Sequence, residues 1–249
     1  MLLFLVLSAP LFALVVALLY RVTDVRASAA LFLRGLLWAV PLLLPWWLLN
    51  LAIEHSYVPE NLFLYHFVLE MLYPLIPALV LFYLFERGIR RERGYIVVVA
   101  LGAFLAGAFF VQSIVDVLRF PHYYSPYIVF LLPTLRLGLI ATVPPLLGAA
   151  SREPRPLRVI WVLGVLIVPA LFTAVPLLHE LRFDVLSHAL TVLFATLAVF
   201  IHVGLMDLYF PRRPRSFTMS NLRRRSSRSR DSSAARTEAE PAHTPVTEV

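Results

Sequence analysis

The chain has 249 residues, 60% of them apolar, with a mean hydropathy of +0.80, a net charge of +7 and no cysteine. A soluble domain carries about 45–50% apolar residues, so this composition excludes an ordinary soluble domain; the missing cysteine excludes disulfides, thiolate metal sites and cysteine nucleophiles. Residues 211–249 hold nine arginines against four acids, which is +5 of the +7, so the basic balance belongs to the tail and gives no reason to expect a nucleic-acid partner.

The apolar excess falls into seven runs of roughly membrane-spanning length. The spacing predicts an all-α, polytopic bundle of seven transmembrane helices over residues 1–210, with spans at about 2–20, 31–53, 62–85, 95–118, 127–150, 157–178 and 185–209. The first run lacks a positive segment before it and is followed by Arg21 and Arg26, which favours an uncleaved helix over a signal peptide. The second has Arg34 near its start, shallow enough to snorkel, with Pro41 and Pro45 inside and Trp46-Trp47 toward the far end.

The third run carries His66 and Glu70 and ends on Arg87, Arg90, Arg91 and Arg93. The fourth holds Gly102, Ala103, Ala106, Gly107 and Ala108, small residues that let a neighbouring helix approach closely, and then Gln112 and Asp116. Pro133, Arg136, Pro144 and Pro145 lie in the fifth, Pro169 and Pro176 in the sixth, and His188, His202 and Asp207 in the seventh.

Loops after the first, third, fifth and seventh runs are arginine-rich, whereas those after the second, fourth and sixth hold none, Arg119 and Arg182. By the positive-inside rule the N-terminus is expected outside and the C-terminus in the cytoplasm. The exclusive use of arginine over lysine is taken as genomic base bias, which points to a bacterial cytoplasmic (inner) membrane. Residues 211–249 are too polar to bury a core and are expected to be a disordered cytoplasmic tail. Its Arg223, Arg224, Arg225, Arg228 and Arg230 suit anionic lipid headgroups. The partners expected are therefore the bilayer, anionic headgroups at the tail and other membrane proteins.

Charges deep in a span are costly and draw attention first. Counted from the ends of their runs, Glu70 lies roughly 12 Å deep and Arg136 roughly 14 Å, on spans entering from the same side. The matched depth predicts that they face each other. With His66 one turn above Glu70, and with Gln112 and His188 toward the same surface, they form a candidate intramembrane polar site in the outer half. Prolines in the neighbouring spans would free backbone carbonyls around the same volume.

Three functional readings follow. The first is a transport or permease-type component, with Glu70 carrying charge, Arg136 as counter-ion or anion clamp and His66 as proton partner. The second is a non-catalytic membrane scaffold or complex subunit whose charges serve packing. The third is an outer-face metal-dependent hydrolase, drawn from His66-x-x-x-Glu70 and Asp184-x-x-x-His188. It lacks the His-Glu-x-x-His spacing, because His179-Glu180 is followed by no second histidine at that offset. Haem on His188 and His202 would need partner histidines that the inner half of the membrane does not supply. No cofactor, metal ligand set or catalytic residue is assigned.

Overall fold

The computed structural model describes residues 11–12, 14–20, 25–53, 58–86, 94–119 and 127–210. The described residues between 11 and 20 are helical (α1). Next come α2 (Val25–Ala52), α3 (Pro59–Tyr65), a π-helical turn (His66–Leu72) and α4 (Tyr73–Phe85), the last three forming one continuous rod. Then follow α5 (Tyr95–Arg119), a second π-helical turn (Tyr127–Leu131) leading into α6 (Leu132–Ala150), α7 (Arg155–Phe172), α8 (Ala174–Glu180) and α9 (Asp184–Tyr209).

Among the described residues six helical rods are long and apolar enough to cross a bilayer, and none is a strand. The described residues thus form an all-helical, multi-pass membrane-type bundle. The seventh expected span, the first run at 2–20, falls partly outside the described residues, and the expected disordered tail at 211–249 lies wholly outside them. What is described of the first run packs into the core. Phe12 and Tyr20 are fully buried, Phe12 meets Phe110 edge-on, and the Tyr20 ring lies over Gly102.

Burial divides the rods into two inner and several outer members. Over their most apolar stretch, Tyr95–Leu118 is 83% buried and Val129–Ala150 is 78% buried, whereas the other four rods are 22–39% buried. The outer rods keep exposed leucine, valine and phenylalanine, as lipid-facing helices do, including Leu163, Ile167, Leu193 and Phe200. The small residues foreseen in α5 explain why it sits at the centre. A Cβ on Gly107 would collide with the carbonyl of Phe32, and one on Gly35 with the carbonyl of Phe104, so α2 and α5 cross backbone to backbone.

Several run boundaries shift. α2 starts at Val25, six residues before the expected 31, so Arg34 lies well inside it. Arg34 is not a lone snorkelling cation: its Nη1 donates to both carboxylate oxygens of Glu86, at 2.8 and 2.9 Å. The sixth run, expected at 157–178, is interrupted at Thr173, between α7 and α8. Pro169 and Pro176 flank that break, and each withholds an N–H from the helical ladder. The Thr173 hydroxyl donates to the Pro169 carbonyl at 2.9 Å.

Candidate functional site

Successive rods are antiparallel, so the bundle has an arginine-rich end (Arg34, Arg152, Arg155, Arg158) and an opposite end where α2, α5 and α8 finish. Most of the polar residues singled out above lie toward the second end.

The first π turn is a consequence of Pro74. In a regular α-helix the proline ring would press on the carbonyl four residues earlier, that of Glu70. Widening the turn by one residue relieves this, and the Tyr73 N–H reaches back to the Val68 carbonyl instead. The Leu69 carbonyl would then need the N–H that Pro74 lacks. The indole N–H of Trp46, on α2, donates to it at 3.3 Å. The second π turn stands in the same relation to Pro133: each ends two residues before a proline near the start of the following α-helix.

The first π turn holds His66 and Glu70, with His66 Nδ1 2.8 Å from Glu70 Oε2. The imidazole is buried, while the Glu70 side chain is 19% exposed. Glu180, at the end of α8, acts electrostatically on the same imidazole. Tyr65, one residue earlier, donates to Asn50 of α2 at 3.3 Å, and its ring meets the His66 ring edge-on. The His66–Glu70 pair and Glu180 therefore lie toward the same end of the bundle, with direct contact between the first two.

Arg136 belongs to a different cluster. Its guanidinium is completely buried and lies 2.6 Å from Asp116 of α5, and its Nη1 donates to the Ser113 hydroxyl at 3.0 Å. The Asp116 contact is an ion pair rather than an aligned hydrogen bond, and Nε finds no acceptor among the described residues. The expected pairing of Arg136 with Glu70 is not what the fold builds. Spacing gives a position along a helix, but not the rotation about its axis. α6 presents Arg136 to α5, its tightly packed inner neighbour, so the acid that meets it is the one a few residues from the end of that helix. Asp116 and Ser113 were the partners that spacing alone missed. The available signal was their offset of three on α5, which puts both on one face.

Gln112 is buried beside this pair in sequence and lines a narrow crevice with Ala39, Leu42, Tyr73 and Ala108, about the size of a single water. His188 is exposed at the start of α9, its Nδ1 2.6 Å from the Asp184 carbonyl. The Asp184 carboxylate lies 2.9 Å from His179. Among the described residues no group of three or more histidine or acidic side chains is arranged to hold a metal. His202 is buried with both ring nitrogens 2.9 Å from backbone carbonyl oxygens, of Ala141 and Leu19. It forms a polar helix–helix contact and leaves no nitrogen for an axial haem bond. The tail arginines Arg223, Arg224, Arg225, Arg228 and Arg230 lie outside the described residues.

No family model, curated protein or solved structure matches this chain.

Proposed function

We propose that this protein is a proton-linked permease component whose working group is the His66–Glu70 pair. The carrying observation is the π-helical turn. It places a buried imidazole 2.8 Å from a carboxylate that keeps partial exposure, with a second carboxylate, Glu180, acting on the same ring. An imidazole paired with a carboxylate can pass a proton without building up isolated charge in an apolar medium. π turns interrupt helices frequently at functional positions. In this reading the chain spans the membrane seven times, with the arginine-rich end in the cytoplasm of a bacterial cell and the His66–Glu70 end outside. The basic tail rests on anionic headgroups.

The test is current measurement on proteoliposomes adsorbed to a solid support, challenged with a panel of small solutes under an imposed pH gradient. A solute-evoked current should require the gradient and vanish in Glu70→Gln while the protein stays folded. An unchanged current in Glu70→Gln would refute the assignment. The scaffold reading is favoured by a separate observation, the buried packing of Arg136 against Asp116 and Ser113. Silence across the whole panel, with normal folding, would leave the scaffold as the better account.

A further inference from the structure

Pro144 and Pro145 sit inside α6, where neither supplies the N–H that would close an α-helical bond to the residue four before it. The carbonyls left over are those of Ile140 and Ala141. Both are answered from other helices. The Tyr20 hydroxyl of α1 donates to Ile140 O at 2.7 Å, and His202 of α9 places Nδ1 2.9 Å from Ala141 O. The other ring nitrogen of His202, Nε2, lies 2.9 Å from the carbonyl of Leu19 on α1. Tyr20 stands edge-on to the same imidazole, ring centres 4.8 Å apart.

A carbonyl oxygen only accepts. A neutral imidazole has one N–H and one bare nitrogen, and a bare nitrogen 2.9 Å from a carbonyl would set two lone pairs against each other. Both contacts are satisfied together only when both nitrogens carry hydrogen. We infer that His202 is a proton-binding site in the interior of the bundle, holding a second proton between the carbonyls of Leu19 and Ala141 and tying α1, α6 and α9 together through it.

The surroundings fit a charge held by dipoles. His202 is 1% exposed. Among the described residues the ionisable groups on the elements around it are few. Tyr20 is committed to Ile140 O, and Tyr95 of α5 lies near enough to act on Tyr20. The ionisable residue of α6, Arg136, is five residues from Ala141, toward the opposite end. Asp207 is five residues along α9 and turned to the exposed side. The site is separate from the His66–Glu70 pair and lies in the arginine-rich half, seven residues from the end of α9. Loss of the proton would leave one donor for two carbonyls, releasing either the α1 or the α6 contact.

The experiment is nitrogen NMR of the histidine rings in the full chain, reconstituted in bilayers near neutral pH. Of the seven histidines only His202 is followed by valine. Labelling histidine throughout and valine at its amide nitrogen therefore identifies its resonances without any substitution. Two ring nitrogens of the protonated N–H type are expected for His202. One protonated and one bare nitrogen would overturn the assignment, because the His202 ring would then be an ordinary neutral tautomer.

Discussion

Removing one partner of the Asp116–Arg136 pair should be far more damaging than removing both. The ion pair is 2.6 Å long, with Arg136 wholly buried and the Asp116 side chain 11% exposed. Breaking a buried pair strands a charge and costs about 3–5 kcal/mol. The two single variants should not be equal. In Asp116→Asn the stranded group is a guanidinium with no exposure and only the Ser113 hydroxyl and an amide oxygen to accept from it, so the loss should fall at the upper end of that range. In Arg136→Gln the stranded carboxylate keeps slight exposure, and the loss should fall at the lower end. The double variant Asp116→Asn with Arg136→Gln strands nothing and should recover a coupling energy of roughly 2–3 kcal/mol. Glu70→Gln combined with Arg136→Gln is the control. Since these two groups are not ion-paired in the fold, their losses should add within about 0.5 kcal/mol. The measurement is reversible unfolding of all six proteins, wild type included, by denaturant in mild detergent. Additive losses for Asp116 and Arg136, or strong coupling between Glu70 and Arg136, would refute the packing of α6 against α5 described above.

Other expectations rest on single contacts. Gly107→Ala should destabilise by about 1–3 kcal/mol, because its methyl group meets the Phe32 backbone. Gly204→Ala, where no atom lies within 4 Å of the new methyl, should instead stabilise by up to about 1 kcal/mol through helix propensity; thermal melts of the two, side by side, check the close crossing of α2 and α5. Tyr20→Phe leaves the Ile140 carbonyl without a donor, since Pro144 has none, and should cost about 1–3 kcal/mol by the same unfolding assay. For orientation, single cysteines at positions 57, 123 and 182 should react with an impermeant thiol reagent in intact cells, and those at 90 and 155 should not. Labelling at 90 would reverse the proposed topology. Deleting residues 217–249 should leave the bundle inserted and folded, as judged by membrane fractionation and melting, because no apolar run is lost.

Composition and spacing determined the class of this protein. Runs of apolar residues are read by the bilayer one helix at a time, so their lengths and positions carry over into rods with boundaries shifted by a few residues. Local chemistry was legible for the same reason. His66 and Glu70, four apart, do meet, the small residues of α5 do admit a close neighbour, and prolines do free carbonyls. Everything that depends on which face of one helix meets which face of another was decided by tertiary packing. Counting from the run ends puts Arg136 and Glu70 at matching expected depth, yet depth is a coordinate along the axis and pairing also needs the rotation about it. That rotation was set by the packing of α6 against α5, and it brought Asp116 and Ser113 to the guanidinium. Likewise nothing in the spacing of Leu19, Ala141 and His202 joins three segments separated by 61 and 183 residues. His202 meets Ala141 because Pro145 leaves that carbonyl bare in an apolar interior, where an unanswered carbonyl is costly enough to select a neighbour that can donate.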